Sequence, residues 1–292
     1  MRLSFVILLV VCLVALFGVA PLLAQDQEDV RGAFISSRPK ETPSPSANRP
    51  RPRPRPTATP NGRASGNPST NSTAHGPTPV KVNSARLGLG LSLFMRDSNG
   101  LAVRTDPSHV FHKGDRVRVL LETNTDGYLY IFNTTNDGLP VMVYPQVELD
   151  DAGNYMQAHV PFEIPSSLAT EERLRWFAFD ENAGDEKLYF VFSKEPLRGV
   201  PIEDNLIAYC RTGNSMCPLR PPAEVWANVQ VNLKTPLQTD RATEYGAAQT
   251  NSERQATTRG LGLAQSDPEP SLIMMATSNS STLVTALDLI HK

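Results

Sequence analysis

From residue 86 to residue 193 the chain is written in short alternating runs of apolar and polar residues, broken by turn dipeptides. Leu89, Leu91 and Leu93 share one phase, as do Val117, Val119 and Leu121, and Leu188, Phe190 and Phe192. A period of two places every second side chain on one face of a strand. Asn99-Gly100, Lys113-Gly114-Asp115, Asp126-Gly127 and Asp137-Gly138 supply the turns, and Pro145 stops the run Val141-Met142-Val143-Tyr144. Tyr128-Leu129-Tyr130-Ile131-Phe132 is apolar in both phases, so it is expected at the centre of a sheet covered on both faces. Further strands are expected over 157–162, 174–180 and 187–193, with a turn at Ala183-Gly184-Asp185. Seven or more short strands without strand–helix alternation predict a mainly β fold, an antiparallel β-sandwich or small barrel.

Composition places the core in the same stretch. Of the 20 aromatic residues in 292, 15 fall between residues 94 and 209. The formal charge of −2 is a sum of unlike parts: +1 from Arg2, +5 over 25–85 and −8 over 86–292. The chain opens Met1-Arg2, then runs apolar from Phe5 to Ala20 and reaches Pro21-Leu22-Leu23-Ala24 before Gln25. This is the pattern of an export signal over 1–24, with cleavage expected after Ala24. The apolar run also approaches the length of a membrane anchor, which is the alternative.

Residues 25–85 are expected to form a disordered linker. Eleven prolines fall between residues 39 and 80, with almost no apolar side chains. At its centre Arg49, Arg51, Arg53 and Arg55 each precede a proline, which favours a stiff polyproline II rod with arginines around its axis. The bland expectation is a soluble spacer; the functional one is weak, salt-screened contact with a polyanion. No aromatics interleave these arginines, so sequence-specific nucleic-acid binding is not indicated.

The β-rich domain is expected over 86–237, with a short helix near 202–210 and an ambiguous segment over 225–233. A loose linker is expected over 238–270. A C-terminal β-hairpin is expected over 271–292, docked on the main sheet because two strands alone are marginal. Cys210 and Cys217 are an even pair after the signal, either a short-loop disulfide in an oxidising compartment or two free thiols.

Phe111-His112-Lys113-Gly114-Asp115-Arg116-Val117-Arg118, Asp126-Gly127-Tyr128-Leu129-Tyr130-Ile131, Val143-Tyr144-Pro145 and Ile164-Pro165 resemble, in order, the bacterial domain-of-unknown-function family 4384. Phe177-Ala178-Phe179-Asp180 and Glu186-Lys187-Leu188 continue the resemblance, which covers about residues 87–197. It implies an exported or envelope-associated bacterial module, one also found fused to peptidase or kinase domains. It carries no catalytic residues.

The residues themselves offer little chemistry. No Gly-x-Ser-x-Gly element or phosphate-binding loop occurs. His109 and His112 point to opposite faces of an extended chain, and Glu148, Asp150 and Asp151 lack the ligand spacing of an EF-hand. No cofactor or metal is expected. Tyr128, Tyr130 and Trp176 are core residues or the lining of a ligand face. The leading expectation is an exported, non-enzymatic envelope module, periplasmic or secreted, that binds a protein or glycan. The alternatives are an inner-membrane-anchored spacer protein and a cryptic hydrolase.

Overall fold

The alternating runs form two facing sheets. The computed structural model describes residues 25–41, 86–147, 153–212 and 217–292. The strands are β1 (Gly88–Arg96), β2 (Ala102–Arg104), β3 (Val110–Phe111), β4 (Arg116–Thr123), β5 (Gly127–Thr135), β6 (Val141–Tyr144), β7 (Tyr155–Met156), β8 (Phe162–Ile164), β9 (Phe177–Ala178), β10 (Gly184–Ser193), β11 (Leu237–Arg241), β12 (Leu272–Ala276) and β13 (Thr282–His291). The helices are α1 (Gln25–Ser36), α2 (Glu203–Arg211), α3 (Ala223–Leu233) and α4 (Asn251–Arg259). The fold is mainly β, as the period-two pattern predicts.

The first sheet runs β11-β12-β1-β4-β8, with β2 beside β1 and β9 beside β4. The second runs β3-β13-β10-β5-β6, with β7 beside β5. Strand pairs are antiparallel except β13 with β3. Leu89, Leu91, Leu93, Val117, Val119 and Leu121 face Leu129, Ile131, Leu188, Phe190 and Phe192 in the core between the sheets. The opposite phase of β5 is not exposed. Tyr130 and Phe132 pack with Tyr189 and Val191 under Leu206 of α2 and Val225 and Val229 of α3. That second cover is why residues 128–132 are apolar on both faces.

Several local expectations are corrected by long-range pairing. The 271–292 segment is not a hairpin: β12 pairs with β1 and β11 in one sheet, and β13 pairs with β10 in the other. β13 then pairs along all ten of its residues with β10, where β12 has only five to give. Asp126-Gly127 lies where the chain passes from β4 in one sheet to β5 in the other. Gly184 opens β10 rather than turning the chain; the turn sits at Asp180, whose carboxylate accepts from the Asn182 N–H. The strand expected over 157–162 is replaced by β7 and β8 on either side, and that over 174–180 by a 3-10 turn Glu172–Arg175 followed by β9. The ambiguous segment is helix α3.

Two stretches expected to be loose are ordered. Within 238–270, α4 carries a capping box: the Thr250 hydroxyl accepts from the Glu253 N–H and the Glu253 carboxylate accepts from the Thr250 N–H. It ends at Gly260 in the left-handed region, φ 63°. Within 25–85, residues 25–36 form α1, whose Val30 and Phe34 pack on Ile273 and Met275 on the outer face of the first sheet. Val30, Ala33, Phe34 and Ile35 are too faint a pattern to announce a helix; the docking surface stabilises it. The signal segment 1–24, and Arg49, Arg51, Arg53 and Arg55, lie outside the described residues, as do Glu148, Asp150 and Asp151. Among the described residues no helix is long and apolar enough to cross a membrane.

Candidate functional site

At one end of the sandwich the inter-sheet core opens into a cleft of about 240 Å³. Its walls follow from the strand phases. On β5 the inward phase runs Leu129, Ile131, Asn133, Thr135, and on β10 it runs Phe190, Leu188, Glu186. The core face therefore turns polar as it reaches this end. The Asn133 Nδ2 donates to Glu186 Oε2 at 2.8 Å, and the Thr135 hydroxyl donates to the same oxygen at 2.9 Å. Asn133 Oδ1 is buried without a hydrogen-bond partner. The apolar side is built by Val143, Phe177, Leu188 and Leu289.

Phe179 and His291 complete the wall, with ring centroids 5.0 Å apart; Phe179 also stacks on Phe111 at 4.7 Å. At the rim, the Asn182 N–H and its side-chain amide hold the Asp180 carboxyl below its ordinary value, helped by the charges of His291 and Lys113. Two carboxylates and an amide oxygen beside aromatic walls suit a ligand that presents hydrogen-bond donors on an apolar body. Donors to Glu186 and Asp180 would form charge-assisted bonds.

A second cluster has the order of a catalytic triad. The Ser37 Oγ lies 3.0 Å from His159 Nε2, and His159 Nδ1 lies 2.8 Å from Glu122 Oε1. The protons are placed wrongly for a nucleophile. Ser37 Oγ is also 2.6 Å from the Phe34 carbonyl, which only accepts, so the hydroxyl donates there. With its proton held by the Phe34 carbonyl, the Ser37 hydroxyl is not set to hand that proton to His159. Glu122 is further shared with Arg38. Burial pushes its carboxyl up, but the hydrogen bonds and positive charges of His159 and Arg38 outweigh this and hold it below its ordinary value. The cluster fastens the end of α1.

The three aromatic candidates do not form one face. Tyr130 is fully buried under α2 and α3, and its hydroxyl accepts from the Leu197 N–H. Tyr128, on the same phase of β5, meets Tyr155 edge-on at 5.4 Å. Burial, and then donation to the negative Asp126, push the Tyr155 phenol up to about 12. Trp176 lies just ahead of β9 and packs against the other sheet, where the Arg118 guanidinium of β4 lies 4.0 Å above its ring and Arg118 pairs with buried Glu163 at 3.7 Å. Cys210 and Cys217 are joined as a disulfide, linking α2 to the segment before α3. His112 lies at the surface, 3.9 Å from Asp115. Among the described residues no group of three or more His, Cys, Asp or Glu could hold a metal ion.

Asn133, Glu186 and His291 are absent from the sequence-derived candidates. Their signal is a polar residue in the core phase of a strand, visible at Asn133 beside Leu129 and Ile131. It could be weighted only after the facing sheet was known.

Residues 110–196 match the family described as a domain of unknown function (DUF4384). This is the family that the motifs resemble, over a segment shorter at its N-terminal end. The matched segment supplies β3 to β10, whereas β1, β12 and β13, which complete both sheets, lie outside it. No curated protein and no solved structure matches the chain.

Proposed function

We propose that this protein is an exported, non-enzymatic module that binds a protein or glycan partner in the cleft at the end of its sandwich. The observation that carries the reading is the Asn133–Thr135–Glu186 cluster set against Phe177 and Phe179. A partner group bearing ammonium or hydroxyl donors on an apolar body fits those acceptors. Export is supported by the apolar N-terminal pattern and by the Cys210–Cys217 bond, because disulfides persist in oxidising compartments. The Arg49, Arg51, Arg53 and Arg55 run adds weak contact with a polyanion.

The test is calorimetric titration of the full chain with lysine-containing peptides and amino-sugar oligosaccharides. Glu186→Gln removes the charge while keeping the shape. Binding should weaken about tenfold to a hundredfold, as for a lost hydrogen bond to a charged group, with the melting temperature retained. Affinity that is unchanged in this variant overturns the cleft as the site. Mass spectrometry of the native N-terminus tests export; a mature start at Gln25 is expected.

A further inference from the structure

We propose that α1 is a clasp that holds the N-terminal end of the mature chain directly on the β-domain, so that residues 42–85 connect two points on the same sheet instead of acting as a spacer. This goes beyond the binding function and does not depend on it. The Arg38 side chain is fully shut off from solvent and uses all five of its N–H donors. Nε and Nη2 grip the two carboxylate oxygens of Glu122 at 2.9 and 2.7 Å. Nη1 donates to the Ala264 and Asp267 carbonyls, and Nη2 also donates to that of Pro268.

The other contacts come from parts of the chain equally remote. Arg31 pairs with Asp240 and Glu269. The Gln265 side-chain amide donates to the Ser36 and Arg38 carbonyls, and the Gln265 N–H donates to that of Pro39. Within the helix end, the Phe34 and Ile35 carbonyls accept from the Ser37 hydroxyl and the Arg38 N–H, while the last carbonyl, that of Ser36, and those of Arg38 and Pro39 just beyond are satisfied by the domain. On the far side of 42–85 the chain is fixed to the same sheet: Arg86 donates to Gln238, and its carbonyl accepts from Asn124. A spacer must have one free end. Here residues 41 and 86 both adjoin groups held on the first sheet, and the length of chain between them sets no distance between residue 25 and the domain.

The experiment cuts the connection and asks whether the halves part. A specific protease site is inserted after Gly66 in the full chain, the chain is cleaved, and the products are run by gel filtration in native buffer. The expected result is co-elution as a one-to-one complex that separates only in denaturant. Independent elution of the N-terminal piece overturns the proposal. Two variants sharpen it. Arg38→Met should release the piece while circular dichroism of the β-domain persists. Gly32 sits inside α1 with open space where a Cβ would lie, so Gly32→Ala should slow dissociation about fivefold through helix propensity. Release rates unaltered by both changes would also refute the clasp.

Discussion

Arg38 and Glu122, 84 positions apart, form a two-point ion pair in which the side chains are 0 % and 3 % exposed. Removing one partner of such a pair leaves an uncompensated buried charge, which costs about 3–5 kcal/mol. Arg38→Met should therefore destabilise the protein by that order in urea unfolding. The double change Arg38→Met/Glu122→Met should recover most of the loss, because it removes both charges. Arg38→Lys should also fail, since an ammonium offers three donors where five acceptors wait. A cost below about 1 kcal/mol for Arg38→Met, the scale of a surface pair, would contradict the role given to it.

Glu122 sets an acid limb on stability. Its carboxyl is held below the ordinary value of 4.5 in the folded chain. A depressed carboxyl contributes stability that is present above the unfolded value and is lost as pH falls through the folded one. Melting temperature should fall as pH drops below about 4.3, the unfolded glutamate range. Glu122→Gln should flatten this part of the profile. A profile identical to that of the parent chain would exclude Glu122 as its source.

The Cys210–Cys217 bond closes a loop with a sequence separation of 7. Loop entropy gives such a link about 2–3 kcal/mol. Cys210→Ser should lower the melting temperature in oxidising buffer and have little effect once reductant is added. An equal drop in both buffers would mean that the bond is not the stabilising element.

Gly90 allows the covering segment to approach the first sheet. A Cβ there would fall 2.5 Å from Pro270 Cγ and 3.2 Å from the Phe34 ring. Gly90→Val should lift both off β1, costing about 1–3 kcal/mol as overpacking does. Amide exchange should speed up in α1 and around residue 270 while β5 and β10 stay protected. Uniform loss of protection would point instead to global unfolding.

The apolar phases were legible because a strand's period of two is a local property. Leu89, Leu91 and Leu93, or Leu188, Phe190 and Phe192, show it without reference to any partner. Helix α4 was also legible in principle: Thr250 and Glu253 spell its start and Gly260 its end. The cleft was less so. Asn133 and Glu186 are ordinary polar residues until cross-strand pairing brings their side chains within 2.8 Å.

By itself, the sequence determined the alternation that makes this chain mainly β, the candidacy of its two late cysteines for a bond that the structure then makes, and the resemblance of its central segment to the family that matches there. Those features rest on spacing within a few residues or on a short motif. Tertiary structure decided which strands share a sheet, sending β12 and β13 to opposite layers. It also turned residues 25–36 from an expected linker into a docked helix. The physical reason is the same in both cases. Strand pairing and the burial of Phe34 and Arg38 are satisfied by surfaces more than eighty residues distant, and no local pattern encodes a partner that far away.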